Sequence, residues 1–400
     1  MGRVAELYGE QESFVEVGSY QRAKSGQGIS GDVFLSEKVK HEPRIVSVLS
    51  DGLGSGVKAS VLATMTATMA LKFTASAMDI TRSAEIIMDT LPICSVRQIS
   101  YSTFTIVDVA RTGQARIIEH GNPSFLLIRP GADVTIEKIQ LRPKRWSDRV
   151  INFSCFEVQR EDRILFFSDG VTQAGMGNVR TPFGWGLENA EAYARELIRE
   201  NATISARELS RKMVDNAREV DGLLIKDDIT CGVVYYRSPR QLLVLTGPPF
   251  NRTHDQDLAM LAMSASIPKV ICGGTTANII ARRLRREIQN DIGQQRDAHI
   301  PPVARMEGFE LVTEGALTLS ETLRLLEEGI PEKAPQNAAV RLAQMLIDSD
   351  VVRFAVGTSV NEAHQDPEFP VEFDLRRNIV KRIAQLLETK YMKRIHLQYL

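Results

Sequence analysis

Short apolar runs open the chain at 14–17, 33–35 and 45–49, and their length and spacing predict β-strands. The glycine-rich stretch 52–56 leads into a long segment, 57–78, that is apolar nearly all round and predicts a helix covered on both sides. A second helix is expected over 82–91, stopping at Pro92. The rhythm then changes to apolar runs at 103–109, 115–120, 125–128, 134–139, 150–156 and 163–167. Turn residues such as Thr112-Gly113, Gly121-Asn122-Pro123 and Pro130-Gly131 separate them, and strands at this spacing predict antiparallel sheets. Helical periodicity returns at 188–200 and 205–220. The second of these begins with a capping box, Ser205 to Glu208, and sets Leu209, Met213, Ala217 and Val220 on one face. A strand at 229–236 closes a first domain of residues 1–237, and Arg237-Ser238-Pro239-Arg240 reads as a linker.

Residues 241–400 alternate strand and helix, which predicts a smaller α/β domain. Strands are expected at 242–245, 269–272 and 352–356, and helices at 255–265, 320–328, 338–349 and from 375 onward. Between the second strand and a helix bearing Ala277, Ile280, Ala281, Leu284 and Ile288 lies Gly273-Gly274-Thr275-Thr276. Such a turn either holds an anion on free backbone amides or is a tight turn capped by a threonine, and the second reading is preferred. It lacks the lysine of a P-loop.

Composition narrows the function classes. At 400 residues the chain exceeds one ordinary core, and its net charge of −1 excludes a protein built to coat nucleic acid. The four cysteines, Cys94, Cys155, Cys231 and Cys272, form no C-x-x-C pair; they read as small core residues in a reducing cytosol. Met1 to Glu6 lack the apolar core of a targeting signal. Lys58 and Lys72 interrupt the most apolar helix, so no membrane span is expected. The six histidines (41, 120, 254, 299, 364 and 396) are scattered and read as loop or core residues, not ligands.

The candidate chemistry lies in four aspartate sites: Gly31-Asp32, Ser50-Asp51-Gly52, Ser168-Asp169-Gly170 and Asp227-Asp228-Ile229-Thr230. Two of them end buried-strand patterns, 44–49 and 164–167, which sets a carboxylate at the edge of a core while glycine permits close backbone approach. Hard divalent cations take such oxygen ligands, so the set suggests a two-metal hydrolase. Ser50 and Ser168 read as turn residues, since neither stands in a nucleophile elbow.

In this order the four motifs resemble the metal-dependent serine/threonine protein phosphatases of the PPM superfamily, most closely the SpoIIE-type branch, over about residues 10 to 237. The resemblance implies an α/β sandwich of two antiparallel sheets flanked by helices. It implies two Mn²⁺ or Mg²⁺ ions, with Asp51 bridging them, the Gly52 carbonyl beside it, Asp32 serving one ion, and Asp169 and Asp227 the other. Asp51 and Asp169 would be central to catalysis. Asp228 stands next to a ligand position and stays open as one, and neither Arg22 nor Lys24 is assigned as a phosphate-binding base. The implied function is hydrolysis of phosphoserine or phosphothreonine on a partner protein in bacterial signalling, in the cytoplasm. An antagonist of an anti-sigma factor is the substrate class such relatives suggest. A silent phosphatase-like binding module and a hydrolase of small phosphorylated metabolites are the alternatives. The helices after Asp51 are expected to act as a switch on the metal site, with Met65 and Met69 in its core. The resemblance does not reach residues 241–400. That domain is expected to be regulatory or dimerising, as the chain has no room for a sensor ahead of the phosphatase. Asp366 and Glu372 read as a polar loop within it.

Overall fold

The computed structural model describes residues 13–358 and 371–400, apart from 41, 55, 79, 91–101, 143–148, 291–302, 332–333, 336 and 392. Met1 to Glu6, His41, Cys94, His299, His364 and Asp366 lie outside the described residues. The chain divides into two compact units, Met1–Ser238 and Pro239–Leu400.

The first unit is a sandwich of two antiparallel sheets. One has the order β1-β10-β9-β6, from β1 (Phe14–Arg22), β10 (Ile229–Arg237), β9 (Asp162–Phe167) and β6 (Leu126–Ile128). The other has the order β2-β3-β4-β5-β8-β7: β2 (Asp32–Lys38), β3 (Arg44–Gly52), β4 (Ser102–Ala110), β5 (Gln114–His120), β8 (Ile151–Glu157) and β7 (Ile139–Leu141). Leu49, Val107 and Ile117 from one sheet meet Ile164, Phe166 and Val234 from the other in the central core. Helices α1 (Gly56–Ala75) and α2 (Ile80–Thr90) cover the six-stranded sheet, where Leu62, Ala67 and Ile87 pack on Val46, Val48 and Ile106. A one-turn helix α3 (Asp169–Thr172) follows β9. Beyond it, α4 (Leu187–Glu200) and α5 (Ala206–Val220) cover the four-stranded sheet through Ala194, Leu209 and Met213. Ser205 caps α5, its side chain accepting from the Glu208 amide at 3.1 Å.

Several local expectations change. The 134–139 run is not a strand; pairing begins at Ile139. Val134 and Ile136 pack against the central core, so their alternation reflects burial without a hydrogen-bonded partner. Helix α1 is not covered on both sides. Its buried face carries Ala59, Leu62, Ala63, Thr66, Ala67, Ala70 and Leu71, whereas Val57, Val61 and Met65 stand 64%, 53% and 42% exposed one turn apart. Met65 is therefore not a core residue. Arg237 belongs to β10 rather than to a linker, buried and paired with Glu16. Cys231 and Cys272 are buried, but Cys155 is exposed on the outward side of β8.

The last turn of α1 is held by a residue far away in sequence. Arg44, at the start of β3, donates to the carbonyls of Thr74 (3.3 Å) and Ala75 (2.9 Å) and to Asp108 (3.0 Å). A cation there satisfies orphan carbonyls at the negative end of the helix.

The second unit is built on a seven-stranded sheet of order β13-β14-β15-β12-β11-β16-β17. Its parallel part comprises β15 (Phe309–Thr313), β12 (Lys269–Cys272), β11 (Gln241–Thr246), β16 (Val351–Val356) and β17 (Arg394–Tyr399). Two short strands, β13 (Gln289–Asn290) and β14 (Ala304–Met306), extend it antiparallel. Helices α6 (Asp255–Ser264), α7 (Gly274–Leu284), α8 (Ala316–Glu328), α9 (Ala338–Asp348) and α10 (Val371–Thr389) complete the unit. Leu319, Leu342 and Ile383 from α8, α9 and α10 pack on Val244, Val270 and Phe354. Ile288 falls beyond the end of α7, where Arg285 turns left-handed, and Glu372 lies within α10 instead of a loop. No helix among the described residues is long and apolar enough to cross a membrane.

Candidate functional site

The four aspartate sites meet where the two sheets come together. Register places Asp32 of β2 opposite Asp51 of β3, so both side chains point to one face of the six-stranded sheet. The other sheet contributes Asp169, just past the end of β9, and Asp227-Asp228, just ahead of β10. Asp51 and Asp169 share a side-chain hydrogen bond, and Asp32 and Asp227 are close enough to act on Asp51 electrostatically.

Glycines make this approach possible. A Cβ on Gly170 would stand 2.1 Å from the Asp228 carbonyl oxygen, and one on Gly52 would stand 2.3 Å from the carbonyl oxygen of Ala59 in α1. A Cβ on Gly31 would meet the Asp228 carboxylate at 2.9 Å, with the Gly52 carbonyl oxygen 3.6 Å away. Each glycine beside a candidate ligand thus marks the point where another part of the site crosses it.

Polar side chains hold the carboxylates. Thr230 Oγ1 donates to Asp32 at 2.6 Å, and Gln173 Nε2 donates to Asp169 at 2.9 Å from one helical turn on. Asp228 accepts from the backbone amides of Lys24 (2.9 Å) and Gly31 (2.8 Å), one on each oxygen. Its own amide donates to Asp227 at 2.9 Å. Ser168 Oγ accepts from the Thr230 amide at 3.0 Å, and Ser50 Oγ donates to the Thr103 carbonyl at 2.9 Å. Both serines bond to backbone, Ser168 from the turn after β9 and Ser50 from within β3. Gln173 was not foreseen. The i, i+4 spacing from Asp169 was its one signal.

The electrostatics record how crowded the site is. Burial pushes the Asp32 carboxyl up to about 8, against hydrogen bonds from Thr230 and Ser168 and with help from Asp228 and Asp169. Asp51 is pushed up to about 9, first by burial and then by Asp32, Asp169 and Asp227. Burial also raises Asp227, against the Asp228 amide and the nearby Lys24 charge. Arg22 is engaged elsewhere, bonded to Asp215 at 3.0 Å. Of the two basic residues considered, Lys24 is the one whose charge reaches the site.

A divalent cation would suit this donor set, since converging buried carboxylates need positive charge to ionise together. The arrangement is not a finished cage: among the described residues no three His, Cys, Asp or Glu side chains are placed to hold one ion. His120 is buried with Nδ1 3.1 Å from the Val150 carbonyl, and His254 and His396 belong to the second unit.

A family profile described as Stage II sporulation protein E (SpoIIE) matches residues 41–237. Residues 41–237 therefore carry a SpoIIE-type domain. The SpoIIE match includes Asp51, Asp169 and Asp227; Asp32 lies ahead of it and the second unit lies beyond it. Among solved structures, the chain is similar to the PP2C phosphatase domain of SpoIIE from Bacillus subtilis with a fragment of its regulatory domain. Identity is 20%, coverage is 56% of this chain and 63% of that one, and the TM-score is 0.47. The RsbU and RsbW domains of a Mycobacterium tuberculosis protein are 17% identical, covering 63% of this chain and 68% of that one, with a TM-score of 0.41. The S. agalactiae serine/threonine phosphatase is 14% identical, with coverage of 56% and 99% and a TM-score of 0.39. No curated protein matches the chain.

Proposed function

We propose that the first unit is a metal-dependent phosphatase that removes phosphate from serine or threonine of a partner protein. One observation carries the reading: Asp32, Asp51, Asp169 and Asp227, brought from two sheets, crowd one another so closely that their charges need a cation. Asp51 lies in the middle of the set and is the bridging candidate. In this reading Asp32 and the Gly52 carbonyl would serve one ion, and Asp169 and Asp227 the other. When bound, two Mn²⁺ or Mg²⁺ ions supply an activated water and a positive clamp for the phosphoryl oxygens. Thr230 and Gln173 hold Asp32 and Asp169 in orientation, and Lys24 adds positive charge beside Asp227.

A phosphorylated antagonist of an anti-sigma factor is the partner class to try first, by likeness to the SpoIIE type. The test is hydrolysis of a phosphoserine peptide by the purified chain with Mn²⁺. EDTA, Asp51→Ala and Asp169→Asn should each reduce turnover to background; full turnover in either variant sinks the assignment. A panel of phosphorylated metabolites run beside the peptide separates a protein phosphatase from a metabolite hydrolase.

A silent phosphatase-like binding module is the alternative from a different class. Calorimetry with Mn²⁺ alone decides between the two, since a silent module takes up no metal.

A further inference from the structure

The second unit has its own crevice, at the carboxyl ends of its parallel strands. The order β15-β12-β11-β16-β17 sets β11 and β16 side by side, and the connection from β11 to β12 runs in the opposite direction to that from β16 to β17. Open α/β sheets bind ligands at such a reversal, because the loops there part instead of closing over each other. In this unit the strands around the reversal all run into glycine: Gly247 after β11, Gly273 after β12, Gly315 two residues past β15 and Gly357 after β16. A Cβ on Gly357 would stand 2.2 Å from the Pro248 carbonyl oxygen, so this floor is close-packed backbone with no room for side chains.

Positive potential gathers above it. Helix α7 starts at Gly274, with Gly273 at φ +133° as its cap, a residue with no side chain to close the first amides. Arg376 of α10 reaches over the same strand ends. Its Nη1 lies 3.2 Å from where a Cβ on Gly247 would stand, and its Nη2 lies 3.6 Å from the same point on Gly315. Burial pushes the neighbouring Cys272 thiol up to about 12, and Arg376 is near enough to oppose that shift.

A second observation points to a ligand. Thr276, 1% exposed in the first turn of α7, has an Oγ1 with no hydrogen-bond partner among the described residues. Thr276 is therefore not the threonine that would cap this turn. Its Oγ1 lies beside the helix mouth, 3.3 Å from where a Cβ on Gly273 would stand. A buried hydroxyl without a partner is costly, and an incoming acceptor oxygen would relieve it. One carboxylate faces the crevice as well: Glu314 Oε1 lies 3.6 Å from the corresponding point on Gly274, while its other oxygen accepts from the Gly315 amide at 3.1 Å. A bare anion is therefore a poor match. The occupant must carry an anionic group for α7 and Arg376 together with a hydroxyl or amine for Glu314.

We propose that this crevice binds a small phosphate ester of a polyol, its phosphate on the α7 N-terminus between Thr276 and Arg376 and a hydroxyl on Glu314. A sugar phosphate and a nucleotide share that chemistry, so ribose 5-phosphate and AMP are both used as probes. Each is titrated calorimetrically into the full chain in EDTA, which suppresses hydrolysis, and into three variants.

Saturable binding by either probe at millimolar concentration is expected. Binding by both shows that the sugar phosphate suffices, whereas binding by AMP alone assigns the site to nucleotides. Thr276→Val and Arg376→Gln should each weaken it by about tenfold or more, as loss of a hydrogen bond to a charged group does. Asp51→Asn, in the other unit, should leave it unchanged. Thr276→Val should also raise the melting temperature of the ligand-free protein, because an isosteric methyl replaces an unsatisfied hydroxyl. The proposal is overturned if neither probe saturates, if Thr276→Val binds as wild type, or if Asp51→Asn alone abolishes binding. Thr276→Val keeps the test decisive should Arg376→Gln not fold.

Discussion

The carboxylate of Asp228 accepts a hydrogen bond from the backbone amide of Gly31 at 2.8 Å, across 197 positions of sequence. Its second oxygen takes the Lys24 amide, so both oxygens are spent on backbone. Asp228 thereby fastens the loop leading into Asp32 to the strand that carries Asp227. It acts as a clasp on the site, which is why its place beside a candidate ligand gave no clear role in sequence. Asp228→Ala strands two amides, one of them buried, and is expected to cost about 2 kcal/mol in urea unfolding. It should also lower hydrolysis of a generic phosphate ester, because Asp32 loses its fixed loop. Asparagine should restore part of the stability, since it can accept only one of the two bonds. An Asp228→Ala protein with wild-type stability would refute the clasp.

A close contact likewise ties α1 to the site. The helix rests on Gly52, where any side chain would strike the Ala59 carbonyl. Gly52→Ala must therefore push α1 away from the carbonyl beside Asp51 or distort that carbonyl. Mn²⁺ affinity is expected to fall by more than the change in melting temperature accounts for. Met65→Ala, on the open face of the same helix, should alter neither quantity; Met69→Ala, whose side chain packs against the core, should lower the melting temperature. Equal effects of Gly52→Ala and Met69→Ala on metal affinity would remove the idea that the position of α1 governs the ligand.

Much of this architecture was readable because the physics was local. Asp51 and Asp169 follow apolar runs that are buried from Val46 to Leu49 in β3 and throughout β9, and a carboxylate at the end of such a run marks the rim of a core. Strands β11 and β12 were legible for the same reason: parallel strands covered on both faces are continuous apolar stretches. β17 was missed because an edge strand with largely exposed side chains carries no such run. The 134–139 segment misled in the opposite sense, its apolar positions reporting burial alone. What sequence could not supply were partners fixed by tertiary structure, such as Arg44 on the end of α1 or the two amides on Asp228. The open face of α1 belongs with these, since apolar residues around a helix do not say which of them find a neighbour.

His120 provides a pH dependence independent of the acidic site. Burial holds its ring below the ordinary value of 6.5, opposed by the Val150 carbonyl and assisted by the charge of Arg149. Between the depressed folded value and 6.5, the unfolded chain binds more protons than the folded one, so stability falls as pH drops through that window. Below the folded value this contribution stops changing. The difference in melting temperature between wild type and His120→Gln should therefore shrink from pH 7.5 downward through about 6. A difference that stays constant over that range would show that the ring does not titrate with folding.

The last prediction concerns the second unit as a whole. Each unit has its own core, Leu319, Leu342 and Phe354 in the second against Leu165, Leu209 and Met213 in the first. The four aspartates all lie before residue 239, and the four-stranded sheet that carries Asp169 and Asp227 is complete at Arg237. A chain ending at Ser238 should therefore fold and hydrolyse p-nitrophenyl phosphate with Mn²⁺ at a rate close to that of the full chain. Effects of the second unit should then show in oligomeric state, measured by light scattering, or in the response of turnover to ribose 5-phosphate and AMP. That outcome fits a regulatory or dimerising unit. A soluble, folded truncation without metal-dependent activity would instead place residues 239–400 inside the catalytic unit.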